Sequence, residues 1–482
     1  MENAKKKHTG SNILIILLIL IILTSTGVGL YSWAKYRTTV EGTATGEVAK
    51  WNFNVTDGNS QTEAIDFTLT RTDNNDSVVD GKLAPGTCGE LEIEIDATGT
   101  ETALTYVIEG EMSNLPTNLK LYSNEERTEE LIVVNNKFSY GKYMSLQEIG
   151  KKEEKIYWEW PFETGTTTEE KTANNKIDTE DNEKTMNMNI TVTGKQVNGE
   201  PRLADLVQVG DYVNYDADSN GTYTFTNTNY NGTSIESSVS TEQDFDSNAK
   251  SQWRVLSVDR KTGMVDLIAV APSTQKITLT DGDIFSNTEE ILKNVGAIYG
   301  HGKGANGGRS VEIEDIEQYS TYNPSTMYNN GNYNRTMTYT NGTFYKQTVN
   351  ENGQVTGFES TLTEASTENP VTIKQTFYYY TAKQYFTNST IYNMIFKNNN
   401  DGNNISYLVA SRSVTIRDDN ECCYFIFNIW DAGVRYTSII HSSNGSENAT
   451  TISSKIRPVV SLNTNIQTTG QNADGVWQLK VE

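Results

Sequence analysis

The sequence is poor in the residues that most metal and redox chemistry requires. Its 482 residues include three cysteines and three histidines, too few for most metal centres and redox sites. Basic residues are also scarce, because 39 Lys and Arg stand against 62 Asp and Glu, and the formal net charge is −23 at pH 7. Since nucleic acid is bound through a positively charged surface, we expect no nucleic-acid partner.

Common catalytic motifs are missing as well, since no G-x-S-x-G, H-E-x-x-H or P-loop motif occurs. Gly302–Gly307 matches G-x-G-x-x-G, but a predicted helix precedes it and a β-branched stretch follows, so a surface loop is predicted instead of a dinucleotide site. Asp216–Gly221 matches half of a calcium loop. Position 12 is Asn227 instead of a bidentate Glu, which favours a hairpin turn between Tyr212–Tyr215 and Tyr223–Phe225. We therefore expect no catalysis, cofactor or metal.

The three cysteines do not form a recognisable site. Cys422 and Cys423 are adjacent, and Cys88 is remote from them in sequence. A cysteine nucleophile would need His301 or His441 beside it and a third group to orient the histidine. Buried thiols, or a vicinal disulfide between Cys422 and Cys423, are the simpler interpretations.

One long hydrophobic run stands near the N-terminus. Residues 1–11 are basic, and residues 12–34 carry no charge and are long enough to cross a hydrocarbon core of roughly 30 Å. The run ends in small residues, which predicts a signal peptide cut after Ala34, with Ser32 and Ala34 as its cleavage-site residues. An uncleaved transmembrane anchor fits the same pattern. We therefore expect an extracellular protein, either secreted or membrane-anchored at the bacterial cell surface.

Residues 35–195 have the pattern of a β-sandwich domain. Leu91–Ile95 alternates apolar and acidic residues, and similar short strands recur at intervals of roughly 8–12 residues. Turn sequences such as Asp57-Gly58 separate them. Alternating short strands of this spacing predict two packed sheets.

The beginning of this domain and the span before it carry motifs that recur in one family. A Gly-containing span ends in Trp and Tyr, Tyr36–Val40 and Gly46–Phe53 follow, and Lys82–Gly86 precedes the Leu91–Ile95 strand. In these features the chain resembles the TasA/camelysin type of secreted protein of Gram-positive Bacillota, whose precursors are cut by a dedicated signal peptidase. The resemblance implies a jelly-roll-like sandwich and, as in the matrix members of the family, fibre formation by a donated N-terminal strand.

A polar linker, residues 196–205, leads to a second predicted domain at 206–482. Ser286–Glu289 is a capping box that begins a predicted helix, and another short helix is predicted at Asn388–Phe396. Hairpin turns are predicted at Asp259–Gly263, Asn341-Gly342 and Asn352-Gly353. The mixture indicates a β-rich α+β domain.

The end of the chain has its own recurring order of motifs. Tyr407–Arg412, Val434–Tyr436 and Lys455–Leu462 give the pattern "ASR…VR…RPVVSL". This order resembles the tails of uncharacterised extracellular domains from Bacillota, and it is similar to the order in C-type-lectin-like folds. The resemblance implies a C-type-lectin-like second domain.

Four residues of the second domain are candidates for ligand binding: Arg412, Trp430, Arg435 and Arg457. The Trp430 ring suits stacking on a sugar, and the arginines suit an acidic ligand. Each has a structural alternative, because rings enter cores and arginines pair with the surplus carboxylates of an acidic protein. The aromatic run Phe377–Tyr380 is similarly expected to place alternate rings in the core.

These features indicate an exported, non-catalytic structural or interaction protein of a Gram-positive cell surface or biofilm matrix. An adhesin whose second domain binds carbohydrate or another surface ligand is the alternative. Expected partners are a second copy of the chain, joined through the Tyr36–Val40 strand, or surface glycans and proteins. Residues 12–34 are expected to contact the membrane before or without cleavage.

Cleavage after Ala34 is expected to give a mature chain that starts at Lys35. The small residues Ser32 and Ala34 fit the sites that signal peptidases accept. N-terminal sequencing of the protein from the surface and culture fractions measures this directly. A mature protein that still carries residues 1–11 would establish the membrane anchor instead.

Overall fold

The computed structural model describes residues 50, 52–56, 64–67, 77–79, 82–182, 184–218, 220–228, 233–279, 284–323, 335–398, 402–416, 422–442 and 451–481. The predicted signal segment, its cleavage residues Ser32 and Ala34, and the Tyr36–Val40 strand lie outside these residues. Within them, no helix has both the length and the apolar character needed to cross a membrane. Strands account for 46% and helices for 14% of the described residues, which confirms the prediction of a mainly β protein.

The first region is sandwich-like. Its elements are β1 (Asn54–Thr56), β2 (Ala64–Phe67), β3 (Thr87–Asp96), β4 (Leu104–Ser113), β5 (Lys120–Tyr122), β6 (Lys137–Met144), β7 (Lys151–Trp160), α1 (Thr168–Glu180) and β8 (Asn187–Gln196). They form two antiparallel sheets with strand orders β1-β3-β7-β5 and β2-β8-β4-β6. Ile93 and Trp158 of one sheet share a core with Ile108 and Ile190 of the other.

Alternation along β3 explains this packing. Ile93 and Ile95 are completely buried. Between them Glu94 points away from the core, and its carboxylate lies 2.9 Å from Nζ of Lys151 in β7. The strand therefore buries one row of side chains and pairs the opposite row with its neighbour.

Helix α1 was not predicted. Its first turn has a capping box in which the Thr167 hydroxyl accepts from the Glu170 amide, and the Glu170 carboxylate accepts from the Thr167 amide. None of its side chains is buried. A helix without an apolar stripe gives no periodic signal, so only the cap marks it.

The second region is larger and mixes small sheets with short helices. Its strands are β9 (Tyr212–Asn214), β10 (Thr222–Thr228), β11 (Ser234–Ser240), β12 (Trp253–Asp259), β13 (Met264–Ala269), β14 (Lys276–Leu279), β15 (Ala305–Ser310), β16 (Thr336–Tyr339), β17 (Thr343–Val349), β18 (Val355–Glu364), β19 (Val371–Lys374), β20 (Tyr380–Thr381), β21 (Tyr407–Ile416), β22 (Cys422–Trp430), β23 (Gly433–Ser442), β24 (Ile452–Lys455), β25 (Pro458–Leu462), β26 (Gln467–Gln471) and β27 (Val476–Lys480). Its helices are α2 (Ile284–Ala297), α3 (Ile313–Glu317) and α4 (Ser389–Phe396), with 3₁₀ turns at Leu203–Asp205, Ile298–His301 and Lys383–Tyr385.

Two sheets organise this region. The larger has the order β15-β25-β13-β12-β9-β27-β26, and the other has the order β20-β23-β22-β21. Four two-stranded ribbons, β10-β11, β14-β24, β16-β19 and β17-β18, surround them. In the larger sheet β9 and β27 are parallel, and Val213 pairs with Trp477.

Several predicted turns can be checked against these pairings. Asp259–Gly263 joins β12 to β13, and Asn352-Gly353 joins β17 to β18, so both hairpins are confirmed. The prediction of a hairpin at Asn341-Gly342 is wrong, because the strands on its two sides do not pair with each other: β16 pairs with β19, and β17 pairs with β18. Asp216–Gly221 is not a hairpin either, since β9 and β10 belong to different sheets.

Gly302–Gly307 is only partly a loop, because its last residues begin β15. The end of α2 and the 3₁₀ turn after it lie directly on this strand. A Cβ at Gly296 would stand 2.0 Å from the carbonyl carbon of Arg309, and one at Gly300 would stand 2.2 Å from that of Gly307. Glycine is therefore required on the helix side for the strand to approach.

The two regions meet through hydrogen bonds around the residue that ends the predicted linker. Asp205 forms ion pairs with Lys195 at 3.0 Å and Arg202 at 2.6 Å. Arg260, in the β12–β13 turn, donates to the Ser139 hydroxyl and carbonyl at 2.6 and 3.1 Å. It also donates to the carbonyls of Ala204 at 2.5 Å and Val207 at 2.9 Å. One guanidinium thus binds both regions. Their independent folding stays a prediction.

Replacing this arginine is expected to loosen the contact. Arg260→Ala removes four hydrogen bonds from a charged donor, and we expect a loss of about 2–3 kcal/mol in the free energy of unfolding, measured in urea. Cleavage of residues 196–205 by a protease should become faster. Lys261→Ala, an exposed neighbour in the same turn, is the control and should stay within about 0.5 kcal/mol of the wild type. Equal stability of the two variants would contradict this role.

Candidate functional site

The described part of the second region contains a cavity of about 750 Å³. It lies among α2, α3, β18 and the middle of β21. Five carboxylates line it: Glu289, Glu290, Glu312, Glu314 and Glu317. Three cations line it as well: Lys293, Arg309 and Arg412. The rings of Phe358, Tyr378 and Phe427 complete the wall. A volume of this size is typical of a small-molecule site.

Arg412 forms one wall of the cavity and holds three elements together. Its side chain is 6% exposed, and its Nη2 lies 2.7 Å from the Glu289 carboxylate of α2. It also donates to the carbonyls of Phe285 and Phe358 at 3.0 and 3.2 Å, and its guanidinium stacks over both rings. Its Nε has no hydrogen-bond acceptor among the described residues. This predicted site residue therefore lines the cavity with its terminal nitrogens already bound to protein acceptors.

Arg309 is committed to a carboxylate beside the cavity. Both of its terminal nitrogens donate to Asp315, and the Asp315 carboxylate also accepts from the Glu312 amide at 2.8 Å. The Glu312 side chain lies 3.9 Å away from Arg309. Arg309 thus fixes the first turn of α3 and lies within ion-pair distance of one cavity carboxylate, that of Glu312.

Glu317 differs from the other carboxylates of the cavity. The Tyr378 hydroxyl donates to it. Burial, partly offset by this hydrogen bond, raises the pKa of Glu317 to about 7. In the part of the chain that the structure describes, no lysine or arginine forms an ion pair with it. Glu317 is a half-buried acid without a cation, and no sequence motif singled it out.

A separate aromatic surface lies on the four-stranded sheet, and we define it by Tyr379, Trp430, Arg435 and Tyr436. The three rings are 48%, 61% and 42% exposed, more than the other aromatic side chains described in this sheet. The Arg435 guanidinium lies 6.0 Å from the Tyr379 ring centre. In register, Trp430 and Thr381 flank Gly433 from the two neighbouring strands.

The four predicted ligand-binding residues do not share one place. Arg412 lines the cavity, whereas Trp430 and Arg435 belong to the aromatic surface. Arg457 is completely buried and donates to the carbonyls of Ala269 at 2.8 Å and of Val270 and Ile395 at 3.2 Å. With no surface open to solvent, Arg457 serves the core of the second region.

The aromatic run Phe377–Tyr380 divides between the core and the surface. Phe377, Tyr378 and Tyr380 are buried, and Tyr379 is exposed. The expectation that alternate rings enter the core is therefore too simple, because Phe377 packs on Phe425 while Tyr378 packs on Phe427. Two buried clusters flank the segment, so three of its four rings are covered.

The three cysteines lie within strands, at buried or half-buried positions. Cys422 and Cys423 are buried and stand as thiols in this structure, which agrees with the first of the two interpretations. Burial raises the pKa of the Cys422 thiol to about 12, which keeps it protonated and unreactive at neutral pH. Cys88 is half-buried in β3, in the other region.

No family model matches this chain, and no match was found among the curated proteins or the solved structures.

Glu317 predicts a dependence of stability on pH. Its pKa is raised from 4.5 to about 7 in the folded chain, so folding is favoured by protonation and stability falls as pH rises between these values. Glu317→Gln should remove this decline, which amounts to at most about 3 kcal/mol. Urea unfolding at a series of pH values measures both proteins. Parallel stability curves for the two would contradict the assignment.

Proposed function

We propose that this chain is an exported interaction protein of a bacterial cell surface or extracellular matrix, and not an enzyme. The uncharged run at residues 12–34 after a basic start supports export. A formal net charge of −23 suits a soluble protein outside the membrane. The exposed aromatic surface supports an interaction role, because large rings left open to solvent commonly mark binding surfaces.

The aromatic surface favours one form of this function, an adhesin that binds carbohydrate through its second region. Sugar rings have apolar faces that pack on aromatic side chains and hydroxyls that accept from arginine. Tyr379 and Tyr436 lie with their ring centres 6.3 Å apart, and Arg435 adds a donor beside them. Rings and a donor on one sheet are what a saccharide chain requires.

The finer architecture is part of the same proposal. The two sheets of the first region, strand orders β1-β3-β7-β5 and β2-β8-β4-β6, fit a jelly-roll-like sandwich of the TasA/camelysin type. In that family type, the strand at Tyr36–Val40 would complete the sheet of a second copy. The second region, with its short helices beside two sheets, fits a C-type-lectin-like arrangement. Both assignments rest on similarity of fold alone, whereas the proposed function rests on the aromatic surface.

Glycan binding by the full mature chain tests the adhesin. On a glycan array we expect selective binding that Trp430→Ala and Tyr379→Ala each weaken about tenfold, which corresponds to about 1.4 kcal/mol. Tyr143→Ala, an exposed tyrosine of the first region, is the matched control and should bind like the wild type. A blank array, or equal binding by all four proteins, would leave only the structural role in the surface or matrix.

A further inference from the structure

We propose that the cavity among α2, α3, β18 and β21 is a second binding site, which takes a polar ligand with a protonated amino group, of the class of the amino sugars. The amino group would lie against Glu317. The site shares no residue with the aromatic surface, so this inference goes beyond the carbohydrate binding proposed above.

The charges of the cavity wall favour a cationic ligand. Arg412 is paired with Glu289, and Arg309 is paired with Asp315, so both arginines are already neutralised. Among the described lining residues, Lys293 is then the remaining cation, whereas Glu290, Glu314 and Glu317 have no ion-pair partner there and Glu312 lies 3.9 Å from Arg309. A cavity with this excess attracts cations and repels anions.

The environment of Glu317 favours a cation beside its carboxylate. A carboxylate removed from water is costly unless a cation or several hydrogen bonds compensate it. The Tyr378 hydroxyl supplies one hydrogen bond, and the described residues supply no ion-pair partner. An ammonium group placed in the cavity would supply the missing charge. Burial without a compensating cation among the described residues also raises the pKa of Glu317.

Aromatic rings form part of the cavity wall near Glu317. Phe358, Tyr378 and Phe427 line the cavity beside Glu317. An ammonium group is attracted to the faces of such rings, and the apolar face of a sugar packs on them. Rings next to a carboxylate are a common environment for bound amines.

The hydroxyl side chains of the wall separate an amino sugar from a simple alkylamine. Thr356, Thr376 and Ser411 line the cavity. Their hydroxyls can hydrogen-bond to the hydroxyls of a sugar. An alkylamine offers none, whereas an amino sugar offers hydroxyls together with its ammonium group.

Calorimetry with the full mature chain at about pH 7 tests the proposal. The probes are the trisaccharide of glucosamine, its fully N-acetylated counterpart and n-butylamine. We expect the free-amine trisaccharide to bind at least about tenfold more tightly than either of the others, because only it offers both charge and hydroxyls. N-acetylation removes the charge and keeps the sugar ring.

Variants assign the effect to the cavity. Glu317→Gln should reduce binding of the glucosamine trisaccharide at least about tenfold and remove the preference over the N-acetylated form. Glu359→Gln is the matched control, because it is an exposed glutamate of β18 next to Phe358 and does not line the cavity. The urea curves described above report whether Glu317→Gln is folded.

Three results would overturn the proposal: no binding of the glucosamine trisaccharide, equal binding of the N-acetylated form, or undiminished binding by Glu317→Gln. Each is distinguishable from failure of the adhesin. Glycan binding at the aromatic surface is lost in Trp430→Ala and kept in Glu317→Gln, whereas binding in the cavity has the opposite dependence.

Discussion

The buried guanidinium of Arg457 is the interaction on which the second region depends. It lies at the start of β25 and donates to carbonyls at the end of β13 and to that of Ile395 in α4, while its guanidinium stacks over the Tyr407 ring of β21. A buried cation is costly unless its donors are satisfied. The acceptors come from the larger sheet and a helix, and the stacked ring comes from the four-stranded sheet, so placing this one side chain relates the positions of all three. The cavity and the aromatic surface are built on the elements so placed.

The same device recurs elsewhere, and it explains how an acidic chain builds a stable interior. Arg254 donates to the Gly210 carbonyl, Arg260 to Ala204 and Val207, and Arg412 to Phe285 and Phe358. Backbone carbonyls keep their hydrogen-bonding capacity without adding a negative charge to the core. Several arginine side chains are thereby engaged in the interior, so carboxylates predominate on the surfaces that solvent and ligands contact. The acidic cavity is a local result of this division.

The sequence predicted the elements whose own residues carry the signal. Leu91–Ile95 alternates and is a strand, the apolar residues after Ser286 repeat at helical spacing and form α2, and Asn388 caps α4. The polar helix α1 and the glycine-rich β15 carry no such pattern. Contacts with residues distant in sequence stabilise both elements, and the local sequence does not reveal those contacts. The site follows the same rule. Trp430 and Arg412 could be picked by residue type, but the role of Glu317 depends on which charges the fold brings near it, and nothing local encodes that.

The parallel pairing of β9 with β27 has a mechanical consequence. These two strands lie at opposite ends of the second region in sequence and side by side in its sheet, with Tyr212, Val213 and Asn214 in register with Val476, Trp477 and Gln478. Tension between the residues before β9 and those after β27 pulls the two strands past each other along their length. The hydrogen bonds of the pair, with that of the Trp477 indole to Asp211, then resist together instead of opening one after another. The pair therefore resists shear along the strands more strongly than a pair whose hydrogen bonds open one at a time.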